Sequence, residues 1–244
     1  MEFFSNLTEY YDELFPVTDS LKSFFSNLLE NCSKPAKILH IGCGTGTFDF
    51  DLAKKGCNVT GIDANKSLVN SASLKHRMQL LSIRFFNLST KEMTHFLGKN
   101  FYNIIFCDNN RLSFLKTRES LSAFFEDCTQ LLTKDGILVL QFENFELLNT
   151  QNSIEFPKKS SIRAELSTIV QKTSKNQTVI TQKIDISKNK TIPILENEPI
   201  LPITQQDIIF YGKKFGFSQI QFYSDYNCSP LTKDSYELIC ILKM

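Results

Sequence analysis

Between Lys37 and Glu143 the chain alternates two patterns. Short apolar runs, "KILHI" (37–41), "CNVTGID" (57–63), "LLSIRFF" (80–86), "FYNIIFC" (101–107) and "GILVLQFE" (136–143), predict strands. The segments between them space their apolar residues as helices do: 47–55 (Phe48, Leu52 and Ala53 on one side), 66–75, a short polar stretch at 91–97, and 118–132. Strands that are apolar throughout have no wet face, so their alternation with helices predicts a parallel sheet covered on both sides. Residues 1–33 read as helical, with Leu21, Phe24, Phe25, Leu28 and Leu29 marking one face. After residue 161 the pattern changes to Thr/Ile/Val alternation, in "IRAELSTIVQKT", "QTVITQKIDIS" and "KTIPILENEPILPI". With turns at Lys175-Asn176 and Lys188-Asn189, this predicts an antiparallel insert of about three strands. A helix at 205–214, stopped by Gly216, then leads to "SQIQFYSDY" and "YELICILKM", an antiparallel closing pair.

Composition narrows the function classes. The 244 residues carry a net charge of +1, with lysines scattered among acids and no basic stripe for a nucleic acid or membrane surface. The Lys-Lys pairs at 54–55, 158–159 and 213–214 read as solvated faces. Seven cysteines, an odd number without a CxxC, read as reduced thiols, and no leader or membrane span is visible. A soluble, cytoplasmic protein is expected, as a monomer or homodimer.

The candidate chemistry lies at "GCGTG". Gly42, Gly44 and Gly46 alternate with small residues directly after the first strand, where a ligand can approach only if side chains are removed. The helix that follows points N–H groups toward a bound group. Asp63 ends the second strand twenty-one residues after Gly42, placed to accept both hydroxyls of a ribose. The ligand is therefore expected to be a nucleoside. Thr47 stands where a dinucleotide fingerprint needs its last glycine, and there is no GxxxxGK[ST] for a triphosphate. A tight turn in an NAD-type or non-binding α/β domain is the plain alternative.

GxGxG with "VTGID" at this distance resembles the class I S-adenosylmethionine (SAM) methyltransferases. The likeness runs along nearly the whole chain and is strongest over 37–146. "YYDELFP" resembles the helical lid of small-molecule enzymes similar to glycine N-methyltransferase, "CDNNRLSFL" their segment after the fourth strand, and "LVLQFENF" their fifth strand. "PILPITQQDI…FGF" resembles their approach to the sixth strand. The resemblance implies a Rossmann-like, seven-stranded, mostly parallel sheet with helices on both faces and an antiparallel final strand. It also implies a division into an N-terminal helical lid (1–36), a SAM-binding core (37–150), an antiparallel β insert over the acceptor site (151–203) and a C-terminal part of the core sheet (204–244). The activity implied is methyl transfer from SAM, leaving S-adenosylhomocysteine (SAH), to nitrogen or oxygen of a small molecule.

Carried onto this chain, the cofactor residues are Tyr11, His40, Gly42, Cys43, Gly44, Gly46, Asp63, Ala64, Asn87, Leu88, Cys107 and Asp108. His40 stands where the family's usual acid holds the methionine amino group, and serves only as an acceptor; a core histidine is the alternative. Asn87, where relatives carry Asp, offers its carbonyl to the adenine amino group, or is a strand-end turn residue. Tyr11 either faces the sulfonium or packs in the core. Acceptor-pocket candidates are Tyr11, Asn110, Arg111, Asn144, Phe145 and Arg163, with Arg111 facing an acceptor carboxylate or Asp108 and Phe3, Phe4 and Phe114 at the rim. His76 and His95 read as solvent-facing. No catalytic dyad and no metal pattern is present; methyl transfer needs alignment and water exclusion rather than an acid/base pair. Asp108-Asn109-Asn110-Arg111 replaces the [DNS]PP[YF] shelf of enzymes that methylate bases or glutamine. A silent SAM-binding or regulatory module, and an RNA or protein methyltransferase, are the alternatives.

Overall fold

The computed structural model describes residues 3–77, 80–175, 177–186 and 190–244, with side chains from Leu7 onward. The expected turns at Asn176 and Lys188-Asn189, and the side chains of Phe3 and Phe4, lie outside the described residues.

The helical amino terminus is two helices, α1 (Phe3–Leu14) and α2 (Asp19–Glu30), rather than one continuous segment. Pro16 supplies no N–H and disfavours helix at the residue before it, so α1 closes with the Phe15 N–H donated to Tyr11 at 2.8 Å. Thr18 then caps α2 by accepting the Leu21 N–H at 3.2 Å.

The main sheet contains β1 (Lys37–Ile41), β2 (Asn58–Asp63), β3 (Ile83–Asn87), β4 (Tyr102–Cys107), β5 (Leu132–Glu143), β10 (Gln219–Tyr223) and β11 (Glu237–Lys243). Its order is β3-β2-β1-β4-β5-β11-β10, seven strands of which β11 runs against the other six. The helices are α3 (Thr47–Lys54), α4 (Lys66–Lys75), the single turn α5 (Met93–Phe96), α6 (Arg118–Leu131) and α7 (Gln205–Lys214). Alternate residues feed opposite faces of the sheet. Leu39, Ile105, Leu138 and Leu140 pack under Leu121, Phe124 and Phe125 of α6. On the other face Ile38, Ile104, Phe106 and Val139 pack under Phe25 of α2 and Phe48 and Leu52 of α3. Because β2 and β4 flank β1 on opposite sides, the chain order reverses at the carboxyl ends of β1 and β4, where doubly wound sheets bind ligands.

A second, antiparallel sheet has four strands, β6 (Ser153–Ser160), β7 (Ala164–Lys172), β8 (Thr178–Ile186) and β9 (Lys190–Pro199), where about three were expected. The additional strand is β6. Its "SIEFPKKS" does not read as a strand because Pro157 breaks the ladder, and the register shifts between Phe156 and Lys159. As an edge strand β6 tolerates that proline. Leu7, Tyr11 and Leu14 of α1 pack on Ala164, Leu166, Ile184 and Ile194, so this sheet holds the amino-terminal helix over the switch point. Among the described residues no helix is long and apolar enough to cross a membrane.

Candidate cofactor and acceptor site

Two backbone donors fix the glycine loop. Gly42 and Cys43 both donate their N–H to the Ile62 carbonyl, at 2.7 and 3.1 Å, tying the end of β1 to the end of β2. Gly46 donates to Cys43 at 3.0 Å and closes the turn into α3. Gly44 sits at φ +58°, and a Cβ there would lie 2.4 Å from the Tyr11 ring. Its N–H donates to Asp63 Oδ2 at 3.2 Å. The glycine is thus required by the turn and by close approach together. The hydroxyls of Thr45 and Thr47 both donate to Asp12, which also pairs with Lys75 at 2.6 Å, so α1 is latched onto the loop.

Asp63 is buried at the carboxyl end of β2. Its Oδ1 accepts the Asn65 N–H at 2.8 Å, while Arg111 Nη2 stands 3.8 Å from Oδ2. The Asp63 carbonyl accepts Asn87 Nδ2 at 2.9 Å and the Leu88 N–H at 3.2 Å. With its amide nitrogen engaged, Asn87 keeps its side-chain oxygen as the acceptor. Ala64 and Asn87 are exposed beside this group and Leu88 is buried.

The residues after β4 are set by two left-handed asparagines, Asn109 at φ 51° and Asn110 at φ 60°. The Asn109 N–H donates to Gln141 Oε1 at 2.7 Å. Asn110 donates to Glu143 at 2.9 Å and accepts from Ser113 at 2.6 Å, so it holds the wall together. Burial pushes the Cys107 thiol and the Tyr11 phenol up, leaving both protonated. Arg111 pairs with Asp63, not with Asp108, and its guanidinium also faces the Tyr11 hydroxyl.

His40 lies buried between two carboxylates. Its Nδ1 lies 2.8 Å from Asp49 and its Nε2 3.3 Å from Asp108, with the ring stacked on Phe106 at 4.8 Å. Burial alone would lower its pKa, but the two carboxylates overcome that and push it up to about 10. It is an imidazolium with both nitrogens donating, and has no lone pair for an amino group. Asp49, on α3, is fully buried and supplies the countercharge; Asp108 is the carboxylate that reaches the cavity. A histidine whose folded pKa is raised stabilises the fold fully below its unfolded pKa near 6.5, and that contribution is lost as the pH rises toward 10. The melting temperature is expected to fall over that interval. His40→Gln should flatten the slope, and parallel melting curves for the two proteins would exclude the charged pairing.

Two cavities adjoin this wall. One of about 430 Å³ is lined by Tyr11, His40, Cys43, Thr45, Asp108 and Tyr226, among others. The other, of about 260 Å³, lies under the second sheet, lined by Asn110, Arg111, Phe114, Glu143, Phe156 and Thr168, among others. Phe15, Asn109, Gln141, Lys159 and Glu237 line both. Three acceptor candidates are elsewhere. Asn144 is buried, donating to the Ser235 carbonyl at 2.9 Å and capping a 3-10 turn by accepting the Glu146 N–H at 3.2 Å. Phe145 packs in the core, and Arg163 pairs with Glu9 and Glu13 while covering the Tyr10 ring. His76 is not simply solvated either, since it stacks on Phe50 and its Nε2 lies 3.1 Å from the Thr45 carbonyl; His95 is exposed.

Sequence reasoning missed Gln141, Glu143 and Glu237. The signal was present in "GILVLQFE", where two polar residues two positions apart close an otherwise apolar strand. Burial pushes the Glu143 carboxyl up to about 7, with Glu237 adding to the rise and Lys159 opposing it.

Residues 38–136 match the family model described as a methyltransferase domain. A protein of Geobacillus sp. (strain WCH70), a methyltransferase by name only, is 30% identical over 140 residues, 56% of this chain and 56% of that protein. The ubiquinone biosynthesis O-methyltransferase of Rickettsia typhi is 28% identical over 108 residues, 44% of this chain and 41% of that enzyme. The chain thus spans about half the length of the curated relatives it matches. The crystal structure of an S-adenosylmethionine-dependent methyltransferase from Clostridium acetobutylicum superposes with a TM-score of 0.77 at 17% identity, covering 99% of this chain and 98% of that one. Residues 38–136 thus match a methyltransferase domain, and the strand order and the glycine loop tied to Asp63 belong to a chain whose fold is that of the superposed S-adenosylmethionine-dependent methyltransferase.

Proposed function

We propose that the protein transfers a methyl group from SAM to a nitrogen or oxygen nucleophile of a small molecule. The observation that carries this reading is the Asp63 carboxylate at the end of β2, bound to the Gly44 N–H at 3.2 Å across the switch point. Asp63 would hold the ribose, the Asn87 side-chain oxygen the adenine amino group, and Asp108 the methionine ammonium. The glycine cradle fits such a group, because what lies against Gly44 and Gly42 is the side chains of Tyr11 and Arg111 rather than backbone. Both can withdraw, and Arg111 already lines the smaller cavity, which would receive the acceptor. The bound cofactor supplies an activated methyl on a cationic sulfur. The chain supplies alignment and exclusion of water, with α1 and the second sheet closing the site. All seven cysteines are unpaired, which supports a cytoplasmic location. A second reading, a SAM-binding module without turnover, is favoured by Arg111 lying on the ribose carboxylate and would leave binding intact while every acceptor fails.

SAM or SAH at about 100 times its dissociation constant should stabilise the fold by about 2.7 kcal/mol, read as a raised melting temperature. NADH should leave it unchanged. A shift with NADH and none with SAM or SAH would overturn the assignment.

A further inference from the structure

β5 places Gln141 and Glu143 two residues apart, so both side chains leave the same face of the sheet, roughly 6.6 Å from each other along the strand. Gln141 lines both cavities and marks their junction, while Glu143 lines only the smaller one. The Glu143 carboxylate therefore stands one strand step inside the acceptor cavity, within a side chain's reach of the junction. Among the described residues it forms no ion pair, and its side-chain partner is the neutral Asn110 amide at 2.9 Å. The charged groups around it are Glu237, opposite it on β11, Lys158 and Lys159 from β6, and Arg111 from the turn after β4. Lys158 is committed to Glu165 at 2.7 Å and Arg111 to Asp63, while Lys159 lies over the Phe15 ring at 4.4 Å. Two carboxylates thus share one end of a cavity whose other walls include Leu7, Phe114, Phe156, Leu166 and Leu195. Lys159 lines the same cavity and acts on Glu143 only through space, so Glu143 itself has no ion-pair partner among the described residues, and a ligand that pairs with it directly carries a cation on an apolar body.

We propose that the methyl acceptor is an amine, and that Glu143 receives its ammonium and takes its proton. This rests on the methyltransferase reading of the same site. An ammonium has no lone pair and cannot attack; transfer of one proton to Glu143 frees the pair. The nitrogen then forms its bond to the methyl carbon as the carbon–sulfur bond breaks, and that electron pair stays on sulfur as the neutral thioether of SAH. The product leaves as the N-methylammonium, and Glu143 returns its proton to water. A carboxyl held near 7 matches this task at neutral pH.

The test compares 2-phenylethylamine with 2-phenylethanol, the same body with and without the cation, by calorimetry on the free and the SAH-loaded protein. The amine should bind at least about tenfold more tightly, and Glu143→Gln should remove that preference. In the parent the preference should grow as the pH rises through about 7, because an alkylammonium stays charged to about pH 10 while Glu143 ionises. This readout needs no variant and no turnover. Equal binding of amine and alcohol, or a preference that survives Glu143→Gln, overturns the proposal. Because the comparison is also run without SAH, it decides the role of Glu143 even if SAH fails to bind, an outcome that would instead overturn the methyltransferase reading.

Discussion

Asp63→Ala is expected to lower SAM affinity at least about tenfold. Two charge-assisted hydrogen bonds to a ribose diol are worth about 1.5–3 kcal/mol each, which alone would correspond to a larger loss. The tenfold floor reflects competition. In the free protein the same carboxylate already accepts the Gly44 and Asn65 N–H groups and faces Arg111, so the ligand replaces an existing partner rather than water. The same contacts mean that the substitution is not silent in the free protein. It strands two backbone donors and the Arg111 guanidinium, at a cost of about 1–3 kcal/mol, and a lower melting temperature should accompany the weaker binding. Arg111→Gln separates the two effects. It removes the competitor while keeping the carboxylate, so SAM affinity should be maintained or rise. Titration calorimetry of both variants decides the matter: an Asp63→Ala protein that binds SAM like the parent places the ribose elsewhere.

Local patterns were legible in the residues and distant pairings were not. The α4 and α7 boundaries, the glycine loop and Asp63 could be read because each depends on spacing within one strand–helix unit. His40 could not. Its partners are Asp49, nine residues on and next to Phe48 on the packed side of α3, and Asp108, brought alongside by the pairing of β1 with β4. No spacing rule announces that a missing acid has been replaced by a cation flanked by two others. The partner of Arg111 could not be read for the same reason, since Asp63 is separated from it by β1 within the sheet, although Arg111 itself does line the smaller cavity. Asn144 and Phe145 look like pocket residues because they follow β5 directly. The chain instead turns at once into a 3-10 segment that consumes Asn144 as a cap and turns Phe145 into the core. Glu143, one residue earlier, keeps the strand's alternation and with it the cavity.

Gly44→Ala should abolish measurable SAM binding, and the structure changes the reason. At φ +58° an alanine is strained by about 1–2 kcal/mol even in open space. Its Cβ would also meet the Tyr11 ring at 2.4 Å, so the lid helix must shift or the loop must leave its turn. A moved loop no longer offers its N–H to Asp63, and that carboxylate loses the support that aims it. Binding is lost through the cradle's shape, and stability falls by more than the backbone term alone. Gly56 isolates that term. It follows α3 at φ +86°, and a Cβ there would have nothing within 4 Å. Gly56→Ala should therefore cost only about 1–2 kcal/mol of strain and leave SAM affinity within about twofold of the parent. Thermal melts give the stability pair and calorimetry the affinity pair. If Gly44→Ala and Gly56→Ala lose stability equally and both bind SAM, then Tyr11 and the glycine loop are merely packed together, and the cofactor does not lie in that cradle.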